Sequence, residues 1–382
     1  MIYLDNAATS WPKPETVYHT MDDFARTKAG NPGRASHSLA IAAENTIEET
    51  RRLVGRLINA TDMARVIFTL NCTDALNLGL KGLLKPGDHV ITSTLEHNSV
   101  TRPLRKLAHQ GVNVERLAPS PLTGFVSPKT LESAINPRTR LVVITHASNV
   151  SGTIQPIAEY GEIARRHKLF FMVDAAQTAG KFPIDVRAAS IDLLAFSGHK
   201  GLMGPSGTGV LYIGERADLD TIREGGTGTH AEDEEQPKEM PYRYECGTPN
   251  SVGLSGLGAG LKFILQTGLD SVREHARELT RNLIDRMERV AGITLYCAPK
   301  ISGQAPVFAF NIKGYQPAEV GAVLDQAFDI KVRTGLHCAP SAHRTLGSYP
   351  LGSVRLSPGH FNTRDDVDQA ARAITQIARA EL

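Results

Sequence analysis

The sequence predicts an α/β protein with a large, mostly parallel sheet followed by a smaller C-terminal α/β unit. Three observations carry this expectation. Short apolar runs alternate with amphipathic stretches through the first two thirds of the chain. Those runs mostly lack polar alternation, as strands covered on both faces do. The chain has 382 residues, more than one core of ordinary size organises, so two packed units are expected.

Residues 65–69 (RVIFT), 89–93 (HVITS), 141–145 (LVVIT), 169–174 (LFFMVD), 191–196 (IDLLAF) and 209–213 (GVLYI) read as strands. Helical patterns lie between them at 74–84, 99–109, 127–135 and 156–167. Such alternation places helices on both faces of a parallel sheet, with ligands bound at the carboxyl ends of the strands. After about residue 250 the pattern changes. A long helical stretch runs from 254 to 290, interrupted at Gly268, and strands at 293–297, 306–312, 330–334 and 353–357 follow, with helices at 317–328 and 364–380. The expected division is a large domain over 13–250 and a small domain over 251–382, joined by an N-terminal segment 1–12. The stretch 223–250, rich in Gly, Pro and charge, reads as a long excursion between them. Loops of that length in compact enzymes are functional or mobile.

The 42 basic and 40 acidic residues leave a formal charge of only +2. No long basic run is present, so nothing asks for nucleic acid or an anionic membrane. The short acidic run from Glu232 to Glu235 reads as a solvated loop. The opening MIYLDNAATS lacks the basic and apolar regions of a secretory signal. No window approaches the ~20 apolar residues of a membrane helix. Cys72, Cys246, Cys297 and Cys338 show no CxxC pair and no metal-like spacing. That usage suits a reducing cytoplasm, where a lone thiol stays free for chemistry.

Chemistry gathers at the predicted strand ends. Ser197-Gly198-His199-Lys200 follows a buried strand, and glycines at 198, 201 and 204 flank the lysine. Dehydration there would lower the amine's pKa and make it a Schiff-base nucleophile, although a surface lysine in a turn has the same local sequence. Asp174 ends another buried strand, where a carboxylate needs a cationic partner. The pyridinium nitrogen of pyridoxal 5'-phosphate is such a partner; helix capping is the alternative. Gln177 could donate to the ring's phenolic oxygen. Asn71-Cys72-Thr73-Asp74 opens a helix, and a helix N-terminus carrying a threonine hydroxyl is a ready anion site. Ser197 and His199 can supply further donors. His97 follows a third strand end, where an imidazole could stack on the ring. Cys338 lies in a loop between Gly335 and Pro340, with Arg333, His337 and His343 close in sequence. Cationic neighbours favour the thiolate, which is the nucleophile. Cys297, on a strand, better fits a small buried residue.

The set LDNAAT (4–9), EHN (96–98), SNVSGT (148–153), VDAAQ (173–177), FSGHKG (196–201), CGTPN (246–250), RTGLHC (333–338) and RLSPGHFNT (355–363) resembles the cysteine desulfurases. These are fold-type I, class V aminotransferase-like enzymes, and the nearer branch is the Suf-type, selenocysteine-lyase-like one. The resemblance runs in order from residue 2 to about 378. It implies a pyridoxal-phosphate sulfurtransferase of sulfur metabolism and iron–sulfur cluster assembly. L-cysteine would yield L-alanine and a persulfide on Cys338 for an acceptor protein. A selenocysteine lyase, or a C–S β-lyase releasing sulfide, is the alternative. It implies Lys200 as the Schiff-base lysine and His97 as the stacking and proton-moving histidine. Asp174 becomes the pyridinium partner, with Asn149 and Gln177 beside the ring oxygen. Thr73, Ser197 and His199 become phosphate ligands, in the same turn as Cys72. Arg355, with Asn149 near it, would bind the substrate carboxylate. Thr248 would reach the phosphate of a second subunit, which implies a homodimer. Gly30-Asn31-Pro32-Gly33 looks more like the Nif/Isc-type branch, and the loop 225–245 does not match the better-known Suf-type members.

Overall fold

A computed structural model of the chain describes residues 1–33, 37–229 and 232–380. In chain order the first elements are β1 (Ile2–Tyr3), α1 (Glu15–Thr27), α2 (Ser38–Ile58), β2 (Val66–Thr69), α3 (Cys72–Leu83), β3 (His89–Ser93), α4 (Asn98–His109) and β4 (Asn113–Leu117). Next come α5 (Pro128–Ser133), β5 (Thr139–Thr145), α6 (Ile157–Arg166), β6 (Phe170–Asp174), β7 (Leu193–Ser197) and β8 (Gly209–Ile213). The last third holds α7 (Ser251–Thr267), α8 (Leu269–Met287), β9 (Ile293–Tyr296), β10 (Phe308–Ile312), α9 (Pro317–Phe328), β11 (Ile330–Lys331), β12 (Arg333–Gly335), α10 (Pro340–Leu346), β13 (Ser353–Leu356) and α11 (Arg364–Arg379).

Seven strands form one sheet in the order β2-β8-β7-β6-β5-β3-β4. Only β8 runs against its neighbours; the other pairings are parallel. The carboxyl ends of β2, β3, β5, β6 and β7 therefore share one edge. The expected mostly parallel sheet is present. Its faces carry separate cores: Val142, Ile144, Val173 and Phe196 on one, and Leu141, Val143, Met172 and Leu193 with Leu76 and Leu80 of α3 on the other.

A second, four-stranded antiparallel sheet, β12-β13-β10-β9, makes the smaller unit. Phe308, Phe310, Val354 and Leu356 pack there against Leu283 of α8 and Ile374 of α11. The helical stretch after residue 250 divides at Gly268, whose φ of 85° lies in the left-handed region glycine adopts freely. Before it, α7 sends Leu257 and Leu261 into the core of the large sheet; after it, α8 sends Leu279 and Leu283 into the small one.

The N-terminal segment stitches the units together. β1 pairs with β11, and Asn6 N–H donates to the Ser357 carbonyl at 3.2 Å just past β13. Ser10 N–H donates to the His199 carbonyl at 3.0 Å, so the same segment touches the turn that carries Lys200. The stretch 223–250 has no helix or strand among its described residues. Its return is anchored by Glu245, which pairs with buried Arg51 of α2 at 2.7 Å and accepts from Phe68 N–H at 2.6 Å.

Candidate active site

A cleft of about 320 Å³ opens where β2, β3, β5, β6 and β7 end. It sits outside the strand carboxyl ends because each parallel strand there hands over to a loop whose backbone is not yet paired. The small sheet and the N-terminal segment close its other side through Ala7, Ala8, Arg333, His337 and Arg355.

The sheet wall is built from strand ends. Lys200 follows β7 and lines the cleft; burial lowers the pKa of its amine, and Arg355 and Arg333 push the same way. Asp174, the last residue of β6, is 3% exposed. Its Oδ1 accepts from Ala176 N–H at 2.9 Å and from the Cys72 thiol at 3.5 Å. Its Oδ2 has no protein partner among the described residues and is left to the cleft. Burial holds this carboxyl above its ordinary range. The Cys72 thiol is pushed well up by the same dehydration and by Asp174.

Asn71 caps α3, its side chain accepting from Asp74 N–H at 2.9 Å. Cys72 N–H points to Ser197 Oγ at 3.4 Å. Thr73 keeps its amide and hydroxyl without protein partners among the described residues, so a helix N-terminus with a free hydroxyl faces the cleft. His97 caps α4 through Nδ1, which accepts from Ser99 N–H at 3.1 Å; the ring proton therefore sits on Nε2. Burial and Lys200 press its pKa down to about 4, so the ring is neutral. His199 is likewise pressed to about 4 by burial, and its Nδ1 is buried without a partner. Gln177 spends one N–H on the Ala7 carbonyl at 3.1 Å, and its Oε1 is buried and unpartnered.

On the facing wall, Arg355 of β13 is 1% exposed. Its Nη2 pairs with Asp5 at 2.6 Å, its Nη1 donates to the Asn149 carbonyl at 3.3 Å, and its Nε is unpartnered. Asn149 in turn donates to the His337 carbonyl at 2.7 Å, and Asn98 N–H donates to the Cys338 carbonyl at 2.7 Å. These two bonds hold an unusual pair: His337 and Cys338 have φ of 48° and 57°. Left-handed backbone costs about 1–2 kcal/mol for each residue with a Cβ, so the segment persists only because its surroundings over-determine it. Cys338 is exposed, and Arg333 Nη2 stands 3.7 Å from its sulfur.

One sequence expectation is corrected here. His337 and His343 are buried, their rings 5.4 Å apart, and dehydration presses them to about 2 and about 4. Both are neutral, so of the three residues close to Cys338 in sequence it is Arg333 that brings positive charge to it. Cys297 is half-buried just beyond β9, and burial pushes its thiol up to about 11.

The cleft thus gathers Cys72, Thr73, His97, Asn149, Asp174, Gln177, Ser197, His199, Lys200 and Arg355. Two candidates fall outside it. Cys338 lines a neighbouring groove that shares Thr73, His97 and Ser99 with the cleft. Thr248 is exposed and lines no part of the cleft in its own chain. The sequence reading gave no role to Asp5 or Glu96, although both lie inside quoted motifs. Glu96 is fully buried, accepting at Oε1 from Ser93 Oγ (2.5 Å) and Thr145 N–H (3.1 Å), and burial pushes it up to about 8.

The family model described as aminotransferase class-V matches residues 2–370. A probable cysteine desulfurase of Methanothermobacter thermautotrophicus is 35% identical over 99% of this chain and 94% of that protein. One from Halalkalibacterium halodurans is 36% identical over 98% and 92%. Among solved structures, the apo cysteine desulfurase of Thermococcus onnurineus superposes with a TM-score of 0.90 at 33% identity, covering 99% of this chain and 94% of that one. The Escherichia coli cysteine desulfurase CsdA gives 0.88 at 30%, covering 98% and 94%.

Proposed function

We infer the function from the premise that this chain belongs to the class-V aminotransferase family, and we read it as a cysteine desulfurase. It takes sulfur from L-cysteine, releases L-alanine and leaves the sulfur on Cys338. The observation that carries this reading is one juxtaposition. A dehydrated lysine, a carboxylate with one free oxygen and a buried guanidinium share a cleft, and an exposed thiol stands on the adjoining rim.

The residues present fit pyridoxal 5'-phosphate. Gln177 Oε1 and His199 Nδ1 are buried polar atoms without partners, Asp174 keeps an oxygen for a cationic nitrogen, and Thr73 offers an anion a helix N-terminus. Lys200 would hold the cofactor through its amine, Asp174 its ring nitrogen and His97 its ring face. Thr73, Ser197, His199 and the Cys72 amide would hold its phosphate, with Asn149 and Gln177 near the ring oxygen. Thr248 would serve the phosphate in a second copy of the chain, making the working form a homodimer. When bound, the cofactor supplies an electron sink for charge at the amino acid's carbons.

The chain's own residues do the rest. Arg355 grips the substrate carboxylate, and Asp5 holds that guanidinium in place from behind. Lys200 Nζ, its proton affinity lowered by burial, takes the α-proton. His97, neutral with its proton on Nε2, can pass that proton on. Cys338 Sγ attacks the substrate sulfur, the C–S bond breaks, and the carbon fragment leaves as alanine after protonation.

The test is mass spectrometry after L-cysteine treatment. The Cys338 peptide should gain one sulfur atom while alanine accumulates, and Cys338→Ala should lose both by orders of magnitude. Pyruvate and free sulfide in place of alanine would make the protein a β-lyase.

A further inference from the structure

The groove beside Cys338 has a chemistry of its own. It encloses about 390 Å³ and opens from the cleft along the packed helices α3 and α4. Lys81, in the last turn of α3, and Arg102 and Lys106, one turn apart on α4, line it together with Cys338. No carboxylate lines it. None of these three cations has an ion pair or side-chain hydrogen bond among the described residues. Some helical arginines elsewhere are matched, as in Arg26 with Asp22, Arg166 with Glu132 and Arg286 with Asp368, but the groove sets three unmatched cations side by side along one thiol. Like charges at i and i+4 cost a helix about 0.2–0.5 kcal/mol. In a chain with 42 basic and 40 acidic residues, an unmatched basic triple leading to one thiol is a local feature.

We propose that this groove seats an acidic, thiol-bearing segment of a protein that takes the sulfur from Cys338. The proposal rests on the desulfurase reading above and adds where the acceptor docks and what charge it carries. The transfer balances without an oxidant. The acceptor's thiolate attacks the terminal sulfur of the Cys338 persulfide, a new S–S bond forms on the acceptor, and the old S–S bond breaks. Cys338 departs as thiolate beside Arg333, and the moved sulfur keeps its oxidation state. Three cations would neutralise few phosphates, and nucleic-acid affinity grows with the number neutralised, so a short acidic peptide is the better match.

The experiment uses the holoenzyme with L-cysteine and three acceptors: dithiothreitol, a short peptide with one cysteine among glutamates, and its counterpart among lysines. The acidic peptide should take up sulfur about 10-fold faster than the basic one at low salt, an advantage that salt erodes. Combined Lys81→Glu, Arg102→Glu and Lys106→Glu should invert the preference while leaving alanine formation with dithiothreitol unchanged. The salt series on the unaltered enzyme gives the same reading without any substitution. Equal rates for the two peptides, or a preference that survives charge reversal, would overturn the proposal. So would a short RNA that displaces the acidic peptide at equal ionic strength. Alanine formed without peptide preference sinks the docking site alone; no alanine with dithiothreitol sinks the desulfurase reading and the docking site with it.

Discussion

Burial penalises charge on both walls of the cleft, yet the two walls come out of it differently. On the sheet wall it acts on acids and bases alike, pressing Lys200, His97 and His199 down. Asp174, Glu96 and Cys72 are all pushed up, because dehydration penalises each charged form. On the facing wall it acts on Arg355, whose pKa it lowers from a value so high that the guanidinium keeps its charge. Burial alone favours the neutral form of the sheet wall's acids, and a cationic ring nitrogen would hold Asp174 as its carboxylate; the other wall retains positive charge and suits a substrate carboxylate. The cysteines follow suit. Cys72 sits buried 3.5 Å from a carboxyl oxygen, while Cys338 is exposed 3.7 Å from a guanidinium. Thiolate chemistry needs the second setting.

The comparison breaks first at Lys200, which belongs to the sheet wall yet feels both arginines of the other. Lys200→Ala should abolish alanine formation and leave no cofactor fixed to the protein by borohydride. A borohydride-fixed adduct in that variant would assign the attachment to another amine. Arg355→Lys tests the facing wall. An ammonium cannot hold Asp5 and a substrate carboxylate with the same planar fork, so the KM for cysteine should rise at least about 10-fold while kcat falls less. Steady-state alanine formation measures both, and an unchanged KM would move the carboxylate site off β13.

The sheet wall was the more legible in the sequence. Its ligands follow apolar runs that are covered on both faces, so the ends of 65–69, 89–93, 141–145, 169–174 and 191–196 locate them directly. The edge strand β4 escaped notice because NVERL is mostly exposed and its charges hide the pattern. The facing wall was harder. Its residues come from a short antiparallel sheet and from the chain's first ten residues, and no local periodicity says that Asp5 meets Arg355 across 350 positions. Cys338 was found through its motif, but the charge of its neighbours was misjudged. Proximity in sequence made His337 and His343 look cationic, and only their burial shows them neutral.

The mildest test concerns Glu96, which sharpens the claim that burial favours the neutral form of the sheet wall's acids. Burial pushes this carboxyl up to about 8, well above the ~4.3 expected when unfolded. Between those values the native state binds more protons than the unfolded chain, so stability must fall as pH rises across the interval. The contribution is complete below about 4.3 and gone above the folded value of about 8. Glu96→Gln keeps the shape but cannot titrate. Its amide faces the same unpartnered position as Oε2, which adds a constant cost at every pH. The slope is therefore the quantity to read, and the height is not. Urea unfolding from pH 5 to 8 should show the unaltered protein losing on the order of 1 kcal/mol or a few relative to the variant. Parallel profiles would mean that Glu96 is already ionised in the fold, balanced by Ser93 and Thr145, and that the sheet wall carries a charge there instead of a proton.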